Sequence, residues 1–191
     1  MKKISILVGN EASNLGLYYG YWNWFFFFKK ILNDLGFETI FFNRISNKFL
    51  ESDYLFLNSR IFPQKNGYAD IDELKRIQKL NSNLYWFDMR DSAGTTQFEV
   101  LPFVKKYIKK SFYKNKSLYL NQLEGGRFYS DYYIKKYFID DNLKYESKNL
   151  DEKFISKLVL GWNIGVAFLF DYLNHSSISY YNELIKLKFL S

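Results

Sequence analysis

The stretch Asn83-Leu-Tyr-Trp-Phe-Asp-Met-Arg-Asp-Ser-Ala-Gly-Thr-Thr-Gln-Phe-Glu99 decides the fold class. The apolar run Leu84 to Phe87 is followed at once by four polar residues, which are Asp88, Arg90, Asp91 and Ser92. A short apolar run of this kind is typical of a strand that is buried in a parallel sheet. Folds with such sheets bind ligands at the carboxyl ends of their strands. The stretch therefore predicts an α/β protein with a ligand site at that edge.

Strand and helix patterns alternate on both sides of this stretch. Ile4 to Val8 predicts a first strand, and a long helix follows from Asn14 to Leu35 with Gly36 as its left-handed cap. Further strands are predicted at Phe37–Phe42, Asp53–Leu57, Leu84–Phe87 and Leu158–Leu160, with a helix that begins at Asp70. This alternation favours a Rossmann-like three-layer domain, in which helices cover both faces of a parallel sheet.

The second half of the chain has weaker patterns. Thr96-x-x-Glu99 matches a capping box and predicts a helix that continues to about Lys110, although Pro102 falls past its first turn. Ser117–Asn121 reads as a strand, and Tyr129–Tyr137 as a helix. We expect one domain over residues 1–165. Residues 166–191 are expected to be a helical tail or the truncated start of a second domain.

Polar residues follow each of the predicted strands, and right-handed crossovers would bring these residues to one edge of the sheet. The candidate substrate-binding residues are Asn10, Glu11, Asn58, Arg60, Arg90, Ser92, Gly94 and Thr95. Asp88 and Asp91 are the candidate catalytic residues, since a carboxylate can take a proton from a sugar hydroxyl. The alternative is an Asp–Arg ion pair that only shapes the loop.

Composition narrows the functional classes. The chain of 191 residues has a net charge of +7 and contains no cysteine, which excludes disulfides and thiolate metal sites and favours an intracellular location. His175 is the single histidine, so a zinc site or a Ser-His-Asp triad would depend on it alone. The basic charge has two explanations, which are the codon bias of an AT-rich genome and attraction to phosphates, nucleotides or a membrane.

Four lysines are predicted to form a basic face on the helix that ends near residue 110: Lys105, Lys106, Lys109 and Lys110. This face is either solvated or docked on anionic lipid headgroups. A nucleic-acid partner is not expected, because no nucleic-acid-binding module is recognisable. The apolar segment Leu15–Phe28 has only about 14 residues, too few for a membrane span.

Two motifs have weak functional interpretations. Gly9, Gly16 and Gly20 do not have the G-x-G-x-x-G spacing of a dinucleotide-binding loop, so no nucleotide cofactor is predicted from them. They are preferred as ordinary turn glycines, and the alternative is a loop whose amides hold a phosphate or a sugar hydroxyl. Asp70-Ile-Asp72 matches the D-x-D pattern of metal-dependent glycosyltransferases, but it also opens a predicted helix, where carboxylates stabilise free backbone amides. Helix capping is the preferred interpretation, and no metal site is expected.

Four segments together resemble bacterial glycosyltransferases of surface-polysaccharide gene clusters, of the two-domain GT-B type. The segments are Asp91–Pro102, Ser117–Leu120, Gly125–Tyr133 and Val159–Gly165. The resemblance covers roughly residues 1–165 and implies an N-terminal domain that receives a glycan or lipid-linked acceptor. It also implies metal-independent transfer from a nucleotide-sugar donor without a further cofactor. The resemblance implies that Asp88 or Asp91 is the base. It also implies that the reaction takes place at the cytoplasmic face of the plasma membrane.

A GT-B enzyme would need a further domain of roughly 150 residues for its donor. The sequence ends at Ser191, so we expect a truncated enzyme, a disrupted gene product or one half of a split transferase whose partner chain supplies the donor domain. The alternative is a non-catalytic α/β module that binds an acceptor or a partner chain. Whether the chain is an enzyme by itself stays open at this point.

Overall fold

The computed structural model describes residues 1–9, 21–22, 24–25, 27–90, 92–121, 123–139 and 148–162. Its strands are β1 (Lys2–Leu7), β2 (Phe37–Phe42), β3 (Tyr54–Asn58), β4 (Gln64–Lys65), β5 (Tyr68–Ala69), β6 (Leu84–Asp88), β7 (Lys106–Lys109) and β8 (Leu158–Leu160). Six of these strands form a parallel sheet in the order β2-β1-β3-β6-β7-β8, and β4 pairs with β5 in an antiparallel hairpin. The predicted α/β class with a parallel sheet is confirmed.

The helices that lie wholly within the described residues are short. The α-helices are α1 (Lys29–Asp34), α2 (Asn47–Leu50), α3 (Ile71–Leu80) and α4 (Phe128–Tyr137). Short 3₁₀ helices cover Phe98–Phe103, Lys116–Leu120, Glu124–Gly126 and Glu152–Lys157. No helix among the described residues is both long enough and apolar enough to cross a lipid bilayer.

The described residues divide into two compact units, and the first contains those up to Phe56 together with Trp162. Here β1 pairs in parallel with β2, from Lys2 opposite Phe37 to Leu7 opposite Phe42, and also with β3. β1 is buried from Ile4 onward, as its continuous apolar run predicts. Gly36 has the left-handed backbone conformation that was predicted for it, with φ of 87°.

The second unit contains residues 57–161. Its strands β6, β7 and β8 are parallel neighbours, and its core includes Trp86 and Phe62, whose ring centroids are 5.2 Å apart. Helix α3 begins as predicted at Asp70, whose side chain accepts hydrogen bonds from the backbone N–H groups of Asp72 and Glu73. The apolar stripe of α3 is buried at Leu74 and Ile77.

A β-hairpin covers residues 64–69, where the sequence analysis predicts no strand. β4 and β5 are joined by Asn66 and Gly67, which have φ angles of 52° and 81°. An Asn-Gly pair readily adopts two successive positive φ angles, and for this reason it is the most frequent signal for a two-residue hairpin. The prediction missed this signal because the flanking strands have only two residues each.

The helix predicted from Thr96 to about Lys110 is wrong. A 3₁₀ helix ends at Phe103, and Val104 has an extended backbone with φ of −115° and ψ of 153°. Pro102 has no N–H group to continue an α-helix. The N–H of Lys105 instead donates to the carbonyl of Leu84 at 2.7 Å, which starts the pairing of β7 with β6.

The other predictions for the second half have mixed outcomes. The strand predicted at Ser117–Asn121 is wrong, because Lys116–Leu120 is a 3₁₀ helix that Asn115 caps through the N–H of Ser117. The predicted helix at Tyr129–Tyr137 and strand at Leu158–Leu160 are confirmed. The start of the long first helix at Asn14 and the helical tail at 166–191 lie outside the described residues.

Candidate functional site

A buried ion pair lies at the carboxyl ends of β6 and β7. Asp88 ends β6 and is directly opposite Lys109, the last residue of β7. The Nζ atom of Lys109 is 2.9 Å from Oδ2 of Asp88, and both side chains are 0% exposed. Lys109 also donates to the carbonyl oxygen of Arg90 at 2.8 Å. The pairing register of β6 and β7 therefore places two opposite charges next to each other in the interior of the protein.

Tyr107 completes this cluster. Its hydroxyl donates to Oδ2 of Asp88 at 2.5 Å and accepts a hydrogen bond from the N–H of Gln97 at 3.0 Å. The other carboxylate oxygen of Asp88 accepts from the N–H of Arg90 at 2.9 Å. Asp88 thus accepts three hydrogen bonds and has no contact with solvent. These contacts compensate the burial of a charge that would otherwise be strongly unfavourable.

Burial shifts the pKa of three groups in this region. Burial and the adjacent Asp88 carboxylate raise the pKa of the Tyr107 phenol well above its ordinary value, so it stays protonated as a donor. Burial lowers the pKa of the Lys109 ammonium, and the attraction of Asp88 opposes that effect. Burial also raises the pKa of Glu99, whose Oε1 accepts from the N–H of Ala69 at 3.2 Å.

Arg90 joins the loop after β6 to the hairpin. Its guanidinium donates to the carbonyl of Gly67 at 3.0 Å, and the side chain is partly exposed. Asp88 forms its ion pair with Lys109. The Asp–Arg pair that the sequence offers as an alternative is not formed by Asp88. Arg90 remains on the surface of the loop, where it can also meet a ligand.

The loops after β3 and β6 are connected through Asn58 and Ser59. Oδ1 of Asn58 accepts from the N–H of Arg60 at 2.8 Å, and its Nδ2 lies 2.8 Å from the sulfur of Met89. Oγ of Ser59 accepts from the N–H of Met89 at 2.9 Å. Because both side chains are buried, Asn58 holds the two loops together and does not face a ligand.

The predicted substrate-binding residues therefore fall into three groups. Those with solvent-accessible side chains in the loops after β3 and β6 are Arg60, Arg90, Ser92 and Thr95. Asn58 and Gly94 are buried, and a Cβ atom added to Gly94 would lie 2.4 Å from Oη of Tyr113. Asn10, Glu11 and the candidate base Asp91 lie outside the described residues.

The predicted basic face of four lysines is wrong. Its residues lie on and around a strand, so their side chains do not share one helical face. Lys105 and Lys106 are exposed, Lys110 is half-buried, and Lys109 is buried in its pair with Asp88. A membrane contact cannot use Lys109, and the remaining lysines do not form the amphipathic helix that was expected.

The D-x-D motif caps a helix, as preferred from the sequence. Oδ1 of Asp70 accepts from the N–H groups of Asp72 and Glu73 at 3.1 and 3.2 Å, and Asp70 also forms an ion pair with Lys65. Within the described part of the chain, no group of three or more acidic, histidine or cysteine side chains is arranged to hold a metal ion.

A small cleft lies beside the loop after β6. Its walls include Gly94, Tyr113, Tyr119, Lys148 and Asn149. Its volume is about 20 Å³, which suffices for a water molecule. Tyr119, on one wall, donates its hydroxyl to the carbonyl of Ala93 at 2.8 Å. The cleft itself is too small to take up a whole sugar ring.

Sequence reasoning missed the residues that surround Asp88. The sequence analysis predicts a helix over Gln97, Tyr107 and Lys109. A helix there gives no pairing register between residues 106–109 and β6. One signal was present: the segment Lys106-Tyr-Ile-Lys109 follows Pro102 and has residues that favour strands. A strand there, parallel to β6, would have suggested a lysine near Asp88 at the same edge.

These observations define the class of the protein as α/β, with polar loops at the carboxyl ends of a parallel sheet. Comparison with protein-family models, with curated proteins and with solved structures finds no match. The fold class is therefore established from the chain's own structure, and function has to be argued from the site.

Proposed function

We propose that this chain acts in sugar transfer, as the acceptor-binding α/β domain of a glycosyltransferase that uses a nucleotide-sugar donor. The observation that carries the proposal is the pair of loops after β3 and β6, which are fixed to each other by Asn58 and Ser59. They present Arg60, Arg90 and hydroxyl side chains to solvent. Guanidinium and hydroxyl groups suit an acceptor that combines sugar hydroxyls with a phosphate.

The contacts of Asp88 argue against it as the base for proton abstraction, which leaves Asp91 as the candidate. A general base needs a free oxygen within hydrogen-bond reach of the substrate. The carboxylate of Asp88 is buried and already accepts from Tyr107, Lys109 and the N–H of Arg90. Asp91 lies outside the described residues, and its role rests on its place in the sequence, one residue after Arg90.

The proposal includes the partners that the sequence resemblance implies. The donor domain would be supplied by a partner chain or a further part of the polypeptide, and the acceptor would be a glycan or a lipid-linked sugar. The reaction would take place at the cytoplasmic face of the membrane in the assembly of surface polysaccharide. No metal ion or cofactor is part of the proposal beyond the nucleotide-sugar donor.

A second candidate function is a non-catalytic binding module of the same fold. It is favoured by the state of Asp88, whose carboxylate is buried and already accepts three hydrogen bonds. Such a module would bind the acceptor and leave proton abstraction to a partner chain. The two candidates differ in what replacement of Asp91 does.

Thermal unfolding in the presence of ligands tests the proposal. A ligand that binds only the folded chain at about 100 times its Kd adds roughly 2.7 kcal/mol to the free energy of unfolding, so the melting temperature rises. We expect a rise with phosphorylated oligosaccharide acceptors. Arg60→Ala should reduce this rise, whereas Arg76→Ala should not, because Arg76 is on α3 in an ion pair with Glu73.

The outcomes separate the alternatives. If neither oligosaccharides nor nucleotide-sugars raise the melting temperature, the proposal is wrong. Equal loss of the rise in both arginine variants would also contradict the assigned site. If the acceptor binds, a transfer assay with the donor domain decides between the candidates: Asp91→Asn abolishes transfer by the enzyme and leaves it unchanged for a non-catalytic module.

A further inference from the structure

Helix α4 presents its aromatic side chains to solvent. The exposed residues on and just after this helix are Phe128, Tyr129, Tyr132, Tyr133, Tyr137, Phe138 and Ile139. Phe138 is 91% exposed. The buried side of the helix carries Ser130, with Asp131 and Ile134 half-buried. A surface helix of a globular protein normally has the opposite arrangement, with its large apolar residues toward the core.

The exposed aromatic rings contact one another. Tyr133 stacks on Tyr137 with centroids 5.7 Å apart, and it meets the edge of Tyr132 at 5.3 Å. The ammonium of Lys136 lies 5.1 Å from the ring centroid of Tyr132 and 5.3 Å from that of Tyr137. The result is an exposed surface of tyrosine rings with a cation among them, and two apolar residues, Phe138 and Ile139, follow at its end.

The charges on this surface are positive where they face solvent. Lys136 and Arg127 lie against exposed tyrosine rings. The one carboxylate within α4, Asp131, is 14% exposed and forms an ion pair with Lys135. Lys114 is also exposed, and it is adjacent to Tyr113, whose hydroxyl accepts from the N–H of Phe128. An anionic partner is therefore favoured over a neutral or cationic one.

We propose that the α4 surface, residues 127–139, docks on an anionic phospholipid bilayer. Tyrosine favours the boundary between headgroups and acyl chains, because its ring is apolar and its hydroxyl stays hydrated. Lysine and arginine extend their charges to the phosphates while their stems lie along apolar surface. Phe138 and Ile139 then enter the acyl boundary.

The inference is independent of sugar transfer, and it assigns a membrane contact to a surface other than the lysines near residue 110. A labelled cysteine tests it directly, because the chain has no cysteine of its own. Phe138→Cys would carry an environment-sensitive dye, and Leu80→Cys, an exposed position on α3, would be the matched control. We expect a blue shift of the dye at 138 with vesicles containing about 30% phosphatidylglycerol, and none at 80.

Vesicle co-sedimentation gives the second measurement, with folding checked by circular dichroism. Phe138→Ser combined with Tyr133→Ser should weaken binding by about tenfold or more, and Leu80→Ser by less than about twofold. Binding should also weaken in high salt, since the lysine and arginine contacts are screened. If the double variant is folded and binds the vesicles as well as the unchanged chain does, the proposal is wrong.

Other occupants of the surface would give different results. If the unchanged chain ignores anionic vesicles but dimerises through Phe138, the surface is an interface between copies and the proposal is wrong. Binding to single-stranded oligonucleotides without vesicle binding would overturn it equally. Neither result depends on the nucleotide-sugar or oligosaccharide experiments, so a failure here leaves the proposed acceptor binding and sugar transfer untouched and removes only the membrane contact of α4, and the reverse also holds.

Discussion

The end of β6 and β7 and the outer face of α4 distribute polarity in opposite ways. The first buries a lysine and an aspartate completely, while the second exposes four tyrosines and two phenylalanines. In the first region both carboxylate oxygens of Asp88 accept hydrogen bonds from other residues of the chain, so these polar groups stabilise the fold. In the second region the aromatic rings contribute little to the core, so their presence is better explained by something outside the chain.

The comparison shows that residue type alone does not indicate role. Lys109 has the residue type of a surface cation but lies in the interior, and Tyr133 has the residue type of a core filler but lies on the surface. The deciding quantity is what each side chain contacts. Stability measurements should therefore separate the two regions clearly, and the following predictions are ordered by expected effect.

The largest effect is expected from breaking the buried ion pair. Lys109→Met leaves the Asp88 carboxylate buried without its cation, which should lower the free energy of unfolding by about 3–5 kcal/mol. The double variant Asp88→Asn with Lys109→Met should lose less than the sum of the two single variants, because no unpaired charge remains. Urea denaturation measures all three.

An exposed ion pair of equal length provides the control. Lys30 and Asp34 are also 2.9 Å apart, but their side chains are 88% and 63% exposed. Lys30→Met should change stability by less than about 0.5 kcal/mol, since water screens the charges. If both lysine variants cost the same, burial is not the source of the stabilisation and the comparison fails.

A smaller, pH-dependent effect is expected at Glu99. Burial raises its pKa above 4.5, and Oε2 has no hydrogen-bond partner among the described residues. The folded carboxyl thus holds its proton more tightly than the unfolded one, so the chain loses stability as pH rises from 4.5 through the folded pKa. Glu99→Gln removes this loss. Its gain over the unchanged chain should be absent below pH 4.5 and complete at neutral pH; a gain that is constant with pH would contradict the burial effect.

The smallest effects on stability are expected on α4. Tyr133→Ser should change the free energy of unfolding by less than about 0.5 kcal/mol, because the side chain is exposed. Phe138 has a left-handed backbone with φ of 54°, so Phe138→Gly should raise stability by roughly 0.5–1 kcal/mol. Thermal and urea unfolding check both. A loss above about 2 kcal/mol in either variant would place α4 with the core residues.

The elements that could be predicted from sequence are those with local signals. Asp70 and Gly36 mark helix ends through their own side chain or backbone, and the apolar run of β1 needs burial on both faces. The segment after Thr96 failed because a capping-box pattern is short, and Pro102 with the pairing of β7 to β6 outweighed it. Tertiary pairing of that kind leaves no local mark.

The candidate site could be predicted as a place but not as a mechanism. The edge after β3 and β6 followed from the right-handed crossovers of parallel strands, and Arg60, Arg90, Ser92 and Thr95 are accessible there. The role of Asp88 depended on which residue the register of β7 places opposite it, and that residue is Lys109. A sequence shows that a carboxylate lies at the end of a strand. That Tyr107 and Lys109 occupy its hydrogen-bonding positions can be known only from the pairing register of β7 with β6.

The contact between Trp162 and Tyr21 has a consequence for the order of folding. The indole of Trp162 donates to the carbonyl of Tyr21 at 2.7 Å across 141 positions of sequence, and its ring packs with Trp22 and Phe25. Residues 57–161 are contiguous and can complete their unit as soon as they leave the ribosome. The first unit cannot be completed until residue 162 has been synthesised. Its contacts with Trp162 form only after the loop of chain between Tyr21 and Trp162 has closed. Until then the rings of Trp22 and Phe25 lack one of their partners, and nascent chains are most vulnerable to aggregation in that interval.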